Sequence, residues 1–166
     1  MDKSKYGTDK QLESKLYGIL KYFYSDLFKK IYLPELQQTL QQHDELKNID
    51  KDLLETVILV WTQSIFFIPI LSSANQQSKQ KIINVLVDVN ERPIEAIKFE
   101  NEMAVRYVNS GVHGVYNLFY AFLDMVDGSN NHESPKDPFT APIFNVMARQ
   151  LIEAGENCIE ALEENT

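Results

Sequence analysis

Apolar residues in the first fifth of the chain recur three, four or seven positions apart. Leu12, Leu16, Ile19, Leu20, Phe23, Leu27 and Ile31 fall on one face when the chain is wound at about 100° per residue. Tyr17, Tyr24 and Phe28 widen that face to roughly half the circumference, where about 100° suffices for a surface helix. Such a helix is expected to meet two neighbours, or one neighbour and a partner. Thr8 with Gln11 has the form of a capping box and predicts the helix start, leaving residues 1–7 as an expected flexible tail. Pro34 biases Leu33 away from helical backbone, so the first helix should stop there and a second should begin at Pro34. Leu36, Leu40 and His43 mark the inner side of that second helix.

The next apolar run predicts the centre of the fold. Asn48 or Asp50 can cap a helix carrying Leu53, Leu54, Val57, Ile58, Trp61, Ile65 and Phe66, apolar almost all round, as a helix surrounded by others is. Pro69 should end or kink it, and Ser73, with Gln76 three residues on, should open the next. The β-branched run Ile82 to Val89 reads as helix, because no second strand exists to pair with it. Pro93 opens a fifth helix through Ile97, Met103, Ala104 and Tyr107, which Gly111 and Gly114 break or bend. Val112, Val115, Tyr116, Phe119, Leu123 and Val126 form the next stripe. Residues 127–139 are expected as the one long loop. Thr140 then caps a last helix with Ile143, Met147, Leu151, Ala154, Cys158 and Leu162 inward. The expected fold is all-α: one domain over residues 1–166, a bundle of about six or seven helices around a hydrophobic central one.

Composition narrows the class. With 166 residues the chain can bury about 70% of its unfolded surface without metal or disulfide. Cys158 stands alone, no apolar leader follows Met1, and the longest apolar run, Val57 to Leu71, falls short of the roughly 20 residues a bilayer needs. The expectation is a cytoplasmic protein without membrane insertion. Net charge is −8, unevenly spread: residues 1–30 hold seven lysines against four acids, and the rest nine bases against twenty acids. Glu153, Glu156, Glu160, Glu163 and Glu164 face only Arg149 in the last helix. Phosphate binding relies on clustered Lys and Arg, so nucleic acid is disfavoured and a basic protein partner fits better.

Chemistry is sparse. The chain has no phosphate-binding glycine loop, no CxxC and no HExxH, and no Glu is followed three residues later by His. Placing Gly128 at the turn of an EF-hand loop would put Leu123 at the first ligand, so that reading fails. No cofactor and no metal are expected. Cys158 reads as a small core residue.

Arg106-Tyr107-Val108-Asn109-Ser110-Gly111-Val112-His113 resembles the R-x4–6-H motif of HEPN-type proteins, with Tyr107 where that family often has a polar residue. The resemblance implies a dimeric helical RNase in which Arg106 and His113 of two subunits meet and cleave RNA by acid–base chemistry.

Five of eight tyrosines lie within the first 32 residues, at 6, 17, 22, 24 and 32. Tyrosine suits surfaces that are apolar at one end and wet at the other. Tyr17, Tyr22, Tyr24, Phe28 and Tyr32 are therefore the expected partner-binding residues, on a surface for another protein or for a second copy. Glu35, Asp44 and Glu45, or the acids of the last helix, would steer a basic partner. The leading expectation is a non-enzymatic helical interaction module, such as an adaptor, inhibitor, or immunity or chaperone-like binder. A HEPN-like RNase using Arg106 and His113 is the alternative from another class. A bundle enclosing a small apolar ligand between helices three, five and six is a third.

Overall fold

A computed structural model describes residues 9–128 and 140–163. The expected capping box at Thr8, the tail 1–7 and residues 129–139 of the expected loop lie outside them. The fold is an all-α bundle with no strand among the described residues.

The first rod contradicts the expected break at Leu33. α1 (Asp9–Tyr22) runs without interruption into a π-helical segment (Phe23–Tyr32) and then into α2 (Leu33–Leu40). Leu33 keeps helical backbone, with φ −61° and ψ −55°, and its N–H bonds to the carbonyl of Phe28, five residues back. That wider turn makes room for the Pro34 ring, which in an α-helix would strike the carbonyl four residues earlier. Pro34 then occupies the first turn of α2, where a missing N–H does no harm.

The π register also explains the broad aromatic arc. At about 4.4 residues per turn, the inward positions recur four or five residues apart. Phe23, Leu27, Phe28 and Tyr32 are accordingly buried, while Ile31, inward on an α-helical wheel, is exposed. The arc needs no second partner; a change of helical period accounts for it.

A short 3₁₀ turn (Asp44–Leu46) leads to α3 (Lys51–Ser73), which Asp50 caps by accepting from the N–H groups of Asp52 (2.7 Å) and Leu53 (3.2 Å). α3 is long and apolar enough to cross a membrane, yet most of that stretch is buried by other helices. It touches α2, the π segment and the three helices that end the described chain, α5 (Ile94–Asn109), α6 (Val112–Asp127) and α7 (Thr140–Glu163), which makes it the central helix. Pro69 does not end it: helical backbone continues to Ser73, and the chain turns extended only at Ala74. The Pro69 ring abuts Gly155 of the last helix, so tertiary packing holds the proline in place.

The cap of α4 (Gln76–Asn90) is Asn75, accepting from Ser78 N–H at 2.8 Å, and Ser73 belongs to the helix before. The run 82–89 is helical, as expected. α4 ends on Glu91 in left-handed backbone, φ 52°. α5 (Ile94–Asn109) follows Pro93. The break before α6 (Val112–Asp127) is at Gly111, whose φ of 91° glycine adopts without steric cost.

α7 (Thr140–Glu163) packs on α3 more extensively than any other pair of helices. Its inner face is Phe144, Met147, Ala148, Leu151, Gly155 and Leu162. Phe144 displaces the expected Ile143 because it completes an aromatic cluster, with ring centres 5.2 Å from Trp61, 5.2 Å from Tyr116 and 5.4 Å from Phe119. Ile143 faces out. So does Val126, in the last turn of α6.

Candidate functional site

Of the five aromatic residues expected to bind a partner, three are interior. Phe28 and Tyr32 are buried and Tyr24 is half-buried. The Tyr24 hydroxyl donates to Asn90 Oδ1 at 2.7 Å and lies 2.5 Å from the side-chain oxygen of Gln63. Burial pushes the phenols of Tyr24 and Tyr32 up to about 12, so both stay neutral hydrogen-bonding groups. Tyr17 is exposed, with its hydroxyl 3.1 Å from the Asp88 carboxylate of α4, and that bond holds its pKa above the ordinary phenol value. Tyr17 lines a depression of about 370 Å³ against α4, among the charged and polar side chains of Glu13, Lys81, Asn84 and Asp88. Tyr22, also exposed, lines a recess beside α7.

That recess begins a surface groove between the first rod and α7. One depression, of about 340 Å³, lies between Tyr22 and the α7 residues Gln150, Glu153, Ala154, Asn157, Cys158 and Ala161. A second, of about 300 Å³, is walled by Glu35 of α2 and lined by Pro142, Ile143, Val146, Met147 and Gln150. Gln150 belongs to both, and the Tyr32 hydroxyl reaches its Oε1 at 3.4 Å from beneath. The two depressions adjoin at Gln150 and together make a trough along α7, mainly apolar at the N-terminal end of that helix and lined by Ala154, Cys158 and Ala161 among polar side chains at the other. Ile143 and Val146 are exposed although large and apolar, 38% and 53% accessible, so among the described residues nothing covers the hydrophobic surface at this end. Cys158 lies half-buried on its wall, correcting its expected place in the core, and burial pushes its thiol up.

The acids expected to steer a partner separate by context. Glu35 and Glu153 line the trough. Asp44 is held by Lys47 at 2.7 Å, which lowers its pKa below the ordinary carboxylate value.

Arg106 and His113 are both exposed. They lie on different helices, either side of the break at Ser110–Gly111, and among the described residues no hydrogen bond or ion pair joins them. The Arg106 carbonyl accepts from the Ser110 hydroxyl at 2.8 Å.

A polar cluster inside the bundle escaped the sequence reading. Gln63 and Ser64 of α3 face Glu100 and Asn101 of α5 across a cavity of about 10 Å³, room for one water molecule and too small for an apolar ligand. Glu100 is 4% exposed and ion-paired to Arg92, from the turn before α5. Asn101 Oδ1 is a buried acceptor that no protein donor reaches. Burial pushes the Glu100 carboxyl up, and Arg92 pulls it partly back. A raised carboxyl pKa means that the folded chain keeps this proton to higher pH than the unfolded chain does. The contribution of Glu100 to stability is therefore fullest below the ordinary carboxylate range and shrinks as pH rises through and above it. The unfolding free energy of the wild type minus that of Glu100→Gln should fall as pH rises through and above the ordinary carboxylate range. Urea denaturation across that range measures it; a flat or rising difference contradicts it.

Among the described residues no three His, Cys, Asp or Glu side chains gather where a metal ion could sit. Comparison with protein-family models, with curated proteins and with solved structures finds no match for this chain.

Proposed function

We propose that this protein is a non-enzymatic helical interaction module that engages another protein through the trough between its first rod and α7. The observation that supports this reading is the exposed apolar end of the trough: Ile143, Val146 and Pro142 stand open on a helix whose opposite face carries the core. Exposed apolar patches rimmed by polar residues are a mark of protein-binding surfaces. The reading shifts the binding surface away from the buried aromatic face of the first helix, and only Tyr22 is kept from that set.

A photo-crosslinking residue at position 146, compared with one at the exposed Glu102 on α5, tests the reading in cells that make the protein. Discrete covalent adducts should form from position 146 and not from position 102. An adduct at twice the protein's mass identifies a second copy as the partner. Identical products from both positions, or none from position 146, overturn the reading.

A further inference from the structure

We propose, resting on the reading just given, that the occupant of the trough is a basic amphipathic helix of about eighteen residues lying along α7. The trough lining on α7 runs from Pro142 to Ala161. At 1.5 Å per residue that is about 28 Å, the length of five helical turns. Its chemistry changes along this length in the way a helix needs. At one end Pro142, Ile143 and Val146 present apolar surface to large side chains. At the other, Ala154, Cys158 and Ala161 recur at spacings of four and three, so a backbone can approach closely over them.

Charge selects the sign of the partner. Glu35 is the charged residue that lines the apolar depression and Glu153 the one that lines its neighbour, both exposed, and neither depression is lined by Lys or Arg. Glu156, Glu160 and Glu163 are exposed further along α7, whose one basic residue is Arg149. Apolar depressions each edged by a glutamate, on a helix whose exposed charges are mostly acidic, are the complement of a helix with Leu, Ala or similar residues on one face and Lys or Arg flanking them. A second copy presenting its own α7 would set Glu153 against like charges, which disfavours self-association through this trough.

Cys158 makes the proposal measurable in the intact protein, because it is the single cysteine in the chain and lies on the trough wall. The probes are two synthetic helical peptides of about eighteen residues. They share one Leu/Ala face and carry either Lys or Glu along its flanks. The Lys peptide should slow alkylation of Cys158 by iodoacetamide about fivefold or more at low salt, and raising salt to about 0.5 M should abolish the protection. The Glu peptide should not protect. The exposed double reversal Glu35→Lys with Glu153→Lys should weaken the Lys peptide about tenfold and admit the Glu peptide. No protection by the Lys peptide, or equal protection by both, overturns the basic helix. If adducts still form from position 146 in that case, the trough remains the binding surface and only its occupant is wrong; absence of both removes the two proposals together.

Discussion

Gly155→Ala should destabilise the fold by about 2–3 kcal/mol, although glycine to alanine inside a helix ordinarily stabilises by up to about 1 kcal/mol. A Cβ at this position would stand 2.2 Å from the Phe66 carbonyl oxygen and 2.8 Å from the Pro69 ring. Both belong to α3, and the nearer obstacle is backbone, which no rotamer change can clear. The two most extensively packed helices would have to separate, opening contacts all along the central seam. Gly18→Ala provides the internal control. Gly18 is exposed within α1, and a Cβ there meets nothing within 4 Å. That substitution should therefore stabilise, by about 0.5–1 kcal/mol. Thermal unfolding followed by circular dichroism reads both variants: opposite signs of the change in Tm support the close-contact argument, and equal signs contradict it.

Trp61→Ala should cost more, about 3–5 kcal/mol, because it empties the largest wholly buried side chain in the described core. The indole lies edge-on to Phe144, with centroids 5.2 Å apart, and its Nε1 donates to the Val115 carbonyl at 2.8 Å. It thus joins α3 to α6 and α7 at one point. Trp61→Phe separates the two contributions. It keeps most of the apolar contact but loses the hydrogen bond, and should cost roughly 1–3 kcal/mol. Urea denaturation of the three proteins gives the ordering directly. As the chain's single tryptophan, Trp61 also reports its own environment, and its wild-type fluorescence should be blue-shifted until unfolding. Equal stability of wild type and Trp61→Ala would contradict its placement at the meeting of three helices.

The register of the groove residues shows where sequence reasoning reached its limit. Ile143 and Phe144 are adjacent and both apolar, so a wheel for α7 can be phased on either. Phasing on Ile143 also placed Ala154 and Cys158 inside and left no groove to find. What decides the phase is the aromatic cluster of Trp61, Tyr116 and Phe119, contributed by two other helices that each wait for the Phe144 ring. The acidic rim was legible, since Glu35 and the glutamates of the last helix stand out in the charge pattern; the apolar floor between them was not. In the first rod the difficulty was similar. Ile31 and Tyr32 compete for one inward position, and an α-helical period chooses Ile31. The π register chooses Tyr32, and its exposed neighbour is the isoleucine.

The buried polar cluster was missed for a different reason. Thr62-Gln63-Ser64 interrupts the apolar run of α3 visibly, but the partners that make it a site are Glu100 and Asn101, more than thirty residues away. Thr62 satisfies itself by donating to the Ile58 carbonyl at 2.8 Å, so one member of the triplet needs no partner outside its helix. The other two find their surroundings only in the tertiary structure, across the α3–α5 contact and, for Gln63, against the Tyr24 hydroxyl of the first rod.

By itself the sequence determined the fold class, the rough limits of most helices, the central place of α3 and the excess of acidic over basic residues. These follow from local quantities: hydrophobic period, capping residues such as Asp50, the backbone freedom of Gly111 and the count of charges. Only the tertiary structure decided that helix one carries straight through Pro34, that Pro69 sits inside α3, and that Phe28 and Tyr32 are core while Ile143 and Val146 are surface. Each of those outcomes is a competition between alternatives nearly equal in local energy. Contacts with residues distant in the chain decide them, and no local pattern records which contact wins.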